Sequence, residues 1–214
     1  MFENSTLSQK IADSIALKIA QGELKQGERL LENELTDIFG TSRAPIREAM
    51  YILEKEGVVE RFPRKGVFVK RYTDKELTDL YDAVYRLTEI ALQRVMERID
   101  DKEMELLEHI VEQMESTVNT RDIQKCYGLL AQLQMKFFEL SKNDVLREMY
   151  QMLDRRLMPF RYTSLSHPTR LKESIVEYRE IIEGLKEKDY DKIVLNLRIK
   201  EKRALSVLVK NPER

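Results

Sequence analysis

Two arginines and two hydroxyl side chains stand close together near residue 45, in an order suited to binding nucleic acid. Arg43 and Arg47 are four residues apart, which is one turn of a helix. An arginine can hold guanine O6 and N7 with two hydrogen bonds, or it can pair with a phosphate. Thr41 and Ser42 precede them and can donate hydrogen bonds to a phosphate at a helix N-terminus. The pattern predicts the reading edge of a DNA-binding helix.

A second basic group follows, with Arg64 and Lys65 directly before Gly66. Residues 40–72 contain eight Lys or Arg against four Glu, a local charge of +4, whereas the whole chain carries -1. A basic segment inside a nearly neutral chain is typical of a DNA footprint. Gly66 has no side chain, so the backbone there can approach a groove closely.

The surrounding pattern predicts the elements that would position these residues. Apolar residues four apart indicate a helix over 7–21, a short helix is predicted over 32–39, and Gly40 caps it. Thr41 or Ser42 then caps a third helix that ends at Gly57. Two β-rich runs, VVERF and VFVK, flank the turn PRKG and predict a hairpin. Three helices and a hairpin form the order of a winged helix-turn-helix, the domain predicted for residues 1–72.

From Thr73 onward the sequence predicts only helices. We expect six, over about 74–98, 101–119, 121–141, 144–163, 169–187 and 189–210, with Asp100, Asn143 and Asp189 as starting residues. Short connections favour an antiparallel bundle, so residues 73–214 are predicted to form an all-helical effector-binding and dimerisation domain. The expected fold class is therefore mostly α, a winged helix-turn-helix followed by this bundle.

The segments SRAPIREA, L-x-x-E-G and G-V-F-V resemble the DNA-binding domain of GntR-family regulators. The helical remainder resembles the FCD-like effector domain of the FadR-type subfamily, with Arg86 and Glu89 matching its Arg-x-x-Glu, and six helices suggest its VanR-like branch. The resemblance implies DNA contacts from Ser42, Arg43, Arg47 and Gly66. A further family contact, often an arginine, falls on Asn33, which brings no charge.

Many effector domains of this subfamily hold a divalent metal with one Asp and three His. In the matching register this chain has Leu130, Gln134, Tyr178 and Lys200, and only two His, His109 and His167, occur in the whole sequence. A three-His site cannot be built from them, so we expect no metal and no other cofactor, and ordinary surface or capping roles for both His. Two alternatives remain for the pocket: Arg86 and Lys200 bind a carboxylate or phosphate that Gln134 and Tyr178 orient, or the site has decayed and Lys200 is exposed.

The resemblance implies a regulator, usually a repressor, that binds a pseudo-palindromic operator as a homodimer and responds to a small molecule. The alternative is a ligand-independent architectural DNA-binding protein. Catalysis is not expected, because one Cys, two distant His and no Gly-rich phosphate loop offer few catalytic groups. Without an apolar run of spanning length or a signal-peptide pattern, we expect a cytoplasmic protein with no membrane partner.

Overall fold

A computed structural model describes residues 6–209 of the chain. These residues divide into two compact units at Thr73–Asp74, and residues 155–159 belong to the first unit. The predicted division after residue 72 lies one residue from this boundary. Each unit has its own buried apolar core.

The first unit has three helices and a small antiparallel sheet. Its elements are α1 (Leu7–Ala20), β1 (Arg29–Leu30), α2 (Glu32–Phe39), α3 (Arg43–Lys55), β2 (Val59–Phe62) and β3 (Gly66–Val69). The sheet order is β1-β3-β2, with Val59 opposite Val69 and Phe62 opposite Gly66. The hairpin confirms the predicted wing. Strand β1 was not predicted, because two residues carry no alternating pattern.

Helices α1 and α3 build the core of this unit by facing each other with apolar stripes. Ile15 on α1 and Ile46 and Leu53 on α3 are fully buried. Between α2 and α3 the chain turns at Gly40, which adopts a left-handed conformation with φ of 59°. The predicted winged helix-turn-helix is therefore confirmed, and α3 occupies the position of its recognition helix.

Six helices form the described part of the second unit. They are α4 (Asp74–Met96), α5 (Asp101–Thr120), α6 (Ile123–Leu140), α7 (Asp144–Ser166), α8 (Arg170–Glu187) and α9 (Tyr190–Leu208). Asp100 forms a capping box with Glu103, and the side chains of Asn143 and Asp189 cap α7 and α9, so these three starts are confirmed. Helix α8 packs against α5 and α9, and α4 packs against α6 and α9. The six helices enclose one apolar core, to which each of them contributes buried side chains.

No helix among residues 6–209 combines the length and apolarity that crossing a membrane requires. Over the same residues, no group of three or more His, Cys, Asp or Glu side chains is placed to hold a metal ion.

Candidate DNA interface and effector site

Helix α3 presents its polar face to solvent. Ile46, Ala49, Met50 and Leu53 are buried, whereas the opposite face is exposed. That exposed face contains Arg43, Ala44, Arg47, Glu48 and Tyr51. The apolar face of α3 is thus buried in the core, and the face predicted to read DNA is exposed and can enter a DNA major groove.

The N-terminus of α3 leaves hydrogen-bonding groups open. Ser42 is the N-cap residue, yet its side chain makes no capping hydrogen bond. Among the described residues, no hydrogen-bond or ion-pair partner is found for the Arg43 guanidinium. Arg47 is 64% exposed and donates from Nε to Glu32 Oε2 at 2.9 Å. A phosphate or base edge could therefore meet Ser42 and Arg43 without displacing an internal contact, and Arg47 would meet it with its terminal nitrogens.

The tip of the wing combines exposure with unusual backbone geometry. Arg64 and Lys65 are exposed, and Arg64 has φ of 61°. Gly66 has φ of 108°, and a Cβ at this position would lie 3.0 Å from Nε of Arg29. Glycine is therefore favoured by its backbone conformation, and the flexible Arg29 side chain passes close to it.

Asn33 and Gly66 border one surface cleft of about 440 Å³ in the first unit, together with Arg29 and Arg61. Asn33 is exposed and lies between Glu32 and Glu34. Arg29 was not predicted as a contact, because the residues before α2 have the pattern of a turn and a short connection. Its place beside the wing makes it a candidate phosphate contact next to the uncharged Asn33.

The predicted effector residues form a buried hydrogen-bonded group in the bundle. Gln134 Nε2 donates to the Tyr178 hydroxyl at 2.5 Å, and Lys200 Nζ lies 3.9 Å from the centroid of the Tyr178 ring. All three side chains are buried, and Lys200 is only 4% exposed. Lys200 is therefore not exposed, which corrects that part of the second alternative; its other part, a decayed ligand site, stays a prediction.

Lys200 is held by neighbours on α8. Its Nζ donates to Ser174 Oγ at 2.5 Å and to Glu177 Oε2 at 3.3 Å. Glu177 also accepts two hydrogen bonds from Arg170, at 3.0 and 3.2 Å, and one from Arg203. The single buried carboxylate of Glu177 thus pairs with three cations, Lys200, Arg170 and Arg203.

The electrostatics of this cluster follow from its burial. Burial lowers the pKa of Lys200 to about 8, and the opposing attraction of Glu177 does not compensate. Burial by itself would raise the pKa of Glu177, but Lys200 and Arg170 hold it below its ordinary value, so the carboxylate is ionised. Burial also raises the pKa of Tyr178 to about 12, so this phenol stays neutral.

A small cavity of about 30 Å³ lies beside these groups. Cations and hydroxyl groups dominate its polar lining, namely Arg161, Arg170, Lys200, Tyr81, Ser164 and Ser174. Within the described structure the Tyr81 hydroxyl and Arg170 Nε have no hydrogen-bond partner although both are buried. Buried donors without acceptors are unfavourable, so the cavity favours an anion or an acceptor-rich group.

Arg86 does not belong to this cavity, which corrects the expectation from the Arg-x-x-Glu match. Its side chain is 49% exposed and pairs with Asp82 and Glu89 on the same helix. The physical reason is its register, since Val84 and Thr88 face the core and Arg86 lies between them on the opposite side of α4. Arg161 and Arg170 supply the guanidinium groups instead.

Leu130, Gln134, Tyr178 and Lys200 do not fit the metal site of related effector domains. Leu130 offers no ligand atom, and the Lys200 ammonium is already paired with Glu177. The expected absence of a metal stays a prediction that rests on these residue types. His109 and His167 are both exposed.

Comparison with known proteins identifies the family. Residues 7–69 match the family model of bacterial regulatory proteins of the gntR family, and residues 79–198 match the FCD domain. The chain is 30% identical over 177 residues to the HTH-type transcriptional regulator YdhC of Bacillus subtilis, covering 80% of this chain and 77% of YdhC. It is 27% identical over 197 residues to the gluconate operon transcriptional repressor of Bacillus licheniformis, covering 88% and 79%.

Among solved structures, Escherichia coli McbR shares the fold with a TM-score of 0.81 at 21% identity, over 95% of this chain and 97% of McbR. A GntR regulator from Rhodococcus gives a TM-score of 0.74 at 17% identity, over 94% and 97% of the two chains. The winged helix-turn-helix, the FCD bundle and the relatives agree on one function class, which is not enzymatic. The chain belongs to the GntR family of transcription regulators, with an FCD effector domain.

Proposed function

We propose that this protein is a sequence-specific repressor that binds its operator as a homodimer and whose affinity is set by a small anionic metabolite. The effector part rests on the small cavity in the bundle, whose lining includes three cationic side chains and two residues, Tyr81 and Arg170, with a donor atom that has no partner in the described structure. The three cations are already paired with Asp154 or Glu177. An anion there would therefore add hydrogen bonds from the Tyr81 hydroxyl and Arg170 Nε, which have no partner within the described structure.

For the DNA part, the proposal assigns contacts to the exposed edge of α3, to the wing and to the start of α2. The assigned residues are Asn33, Thr41, Ser42, Arg43, Arg47, Arg64, Lys65 and Gly66, with Arg29 added from the structure. Bases would be read by the arginines, and the hydroxyl and wing residues would fix the register on the phosphates. Such a regulator of bacterial genes works in the cytoplasm, where the chromosome is.

For the effector part, the proposal assigns Gln134, Tyr178 and Lys200, with Arg161 and Arg170 in place of Arg86. Relatives named as gluconate operon repressors give a first compound to try. Gluconate has a carboxylate, the kind of group that a cationic cavity prefers. A ligand can change operator affinity only through a difference in its own affinity for the DNA-binding and DNA-free states.

The test is a thermal-shift screen of carboxylates and sugar phosphates that starts with gluconate, followed by an operator shift assay with each hit. D-glucose serves as an uncharged control with the same carbon skeleton. A ligand at about 100 times its Kd should stabilise the protein by about 2.7 kcal/mol. Lys200→Met should abolish the response to the best anion and leave operator binding unchanged.

An anion response that survives Lys200→Met would refute the assigned pocket. A chain that binds DNA of any sequence equally and responds to no compound would instead be an architectural binder.

A further inference from the structure

The cavity is too small for the ligand that the proposed function requires. Its volume of about 30 Å³ is enough for one or two water molecules. Pockets for metabolites are larger by roughly a factor of ten. Any effector must therefore displace a group that the free protein keeps in place.

Glu177 is the group whose contacts match those of a carboxylate ligand. It is 2% exposed, receives two hydrogen bonds from Arg170 and lies 3.3 Å from Lys200 Nζ. Both cations also border the cavity. We propose that Glu177 is a resident counter-ion, and that the effector is a carboxylic acid whose carboxylate takes over its contacts with Arg170 and Lys200. This inference rests on the anionic effector site of the proposed function.

The geometry favours a carboxylate over a phosphate. An arginine can bind either anion with two nitrogens, but the anion that Arg170 holds here is itself a carboxylate, and the adjoining cavity of about 30 Å³ adds little room for a larger phosphate. The Tyr81 hydroxyl and Arg170 Nε, which Glu177 does not reach, would serve polar groups on the rest of the ligand. In the free protein, the Glu177 carboxylate therefore shows which kind of anion Arg170 and Lys200 bind.

Glu177 also has a partner that could receive it after displacement. Arg203 Nη1 donates to Glu177 Oε1 at 3.2 Å, and the Arg203 side chain is 50% exposed. A carboxylate that moves outward with Arg203 keeps one ion pair and regains water. Leaving a buried charge without any partner would be strongly unfavourable, so this exit makes the exchange feasible.

The exchange would be transmitted to the bundle, because Glu177 joins two helices. It lies on α8 and bonds Lys200 and Arg203 on α9. When the effector takes Lys200, the Glu177–Lys200 link between α8 and α9 is replaced by a link through the ligand, while the Glu177–Arg203 pair is kept. A carboxylic acid would thereby alter the contact between α8 and α9. A neutral compound would not, because it cannot replace the Glu177 carboxylate at Lys200.

The test measures binding of acetate by titration calorimetry at pH 7 and constant ionic strength, with inorganic phosphate as the second probe. Glu177→Gln removes the competing charge and keeps the shape of the side chain, so acetate should bind at least tenfold more tightly than to the wild type. Glu177→Asp retracts the carboxylate by one methylene and should give a smaller increase. Glu173→Gln is the matched control, because Glu173 also bonds Arg170 but is 38% exposed, and its acetate affinity should equal the wild type.

Each other outcome would overturn a defined part of the argument. If the wild type binds acetate and neither Glu177 variant binds it more tightly, Glu177 does not compete and this inference fails while the proposed function stands. A Glu177→Gln protein that prefers phosphate to acetate would overturn the carboxylate class. If neither anion binds any of the folded proteins, the anionic effector site itself is wrong. Should Glu177→Gln not fold, Glu177→Asp, which retains the charge, decides the question.

Discussion

The two arginines that begin α3 differ in how they are held. Arg47 uses Nε to pair with Glu32, which leaves its two terminal nitrogens free to turn toward a base. An exposed pair of this kind is worth less than about 1 kcal/mol of stability, so its main effect is on side-chain orientation. Arg43 has no such support among the described residues, and it stands at the first helical position, where phosphates approach.

Replacing Arg43 or Arg47 by Ala should weaken operator binding by about 1–3 kcal/mol if the arginine reads a base. A phosphate contact would instead reduce the salt dependence of binding by about one unit of slope. Shift assays at several salt concentrations separate the two roles. Lys55→Ala, at the other end of the same helix, is the control and should change affinity little. Wild-type affinity in the double arginine variant would end the assignment of α3 as the reading helix.

Lys200 predicts a pH dependence of the effector response. Its ammonium has a folded-state pKa of about 8, depressed by burial, so it is charged below that pH and neutral above it. Anion binding should therefore be strongest below pH 8 and should weaken as the pH rises from 8 to 10. The sign for stability is the opposite: the unfavourable burial of the ammonium is present below pH 8 and is relieved between 8 and 10.5, so this residue's contribution to stability rises with pH while anion affinity falls. Anion affinity that stays flat across this range in the wild type would contradict the role of Lys200.

At the scale of elements, periodic patterns predicted the helices and the wing well, because apolar spacing and capping residues are local signals. Predicted starts at Asp100, Asn143 and Asp189 agree with the structure for this reason. Strand β1 was missed because it exists only through pairing with the distant β3. A local pattern cannot show such a partner.

The effector site was predicted less well, for a related reason. Gln134, Tyr178 and Lys200 came from the family register, and the structure brings them together. Arg170 and Glu177 look like ordinary charged residues of a solvated helix until the bundle buries them against each other. Their pairing is a tertiary effect. The one local sign of it is that Arg170 and Glu177 lie on the same face of α8 as apolar residues that become buried.

The wing depends on one glycine. Gly66→Ala should destabilise the first unit by about 1–3 kcal/mol, because φ of 108° is unfavourable for an L-residue. Operator affinity should fall with it. Gly128→Ala is the matched control, since Gly128 lies inside α6 with open space around it and should gain up to about 1 kcal/mol. Urea unfolding and shift assays measure both effects, and an unchanged wing variant would show that Gly66 is not required.

For the whole molecule, the net charge of -1 shows that DNA affinity cannot come from the overall field of the protein. It must come from local basic groups, mainly the +4 segment of residues 40–72 with Arg29 beside it, and this segment is short. One reading helix reaches only a few base pairs, which is too little to single out an operator in a genome. Specificity therefore requires two reading heads on the same DNA.

We accordingly expect a homodimer whose two copies of α3 enter successive major grooves on one face of the duplex. Because a dimer of winged helices binds half-sites about one helical turn apart or somewhat less, the footprint should be a pseudo-palindrome of that spacing. Light scattering should give twice the chain mass of 25.4 kDa for the free protein, and the same protein mass plus that of one duplex for the complex with DNA. Inserting about five base pairs between the half-sites turns one of them to the opposite face, because a turn takes about ten, and binding should weaken sharply. The same insertion outside the footprint should have no effect. A monomer in solution and on DNA, with binding indifferent to half-site spacing, would contradict the two-head arrangement.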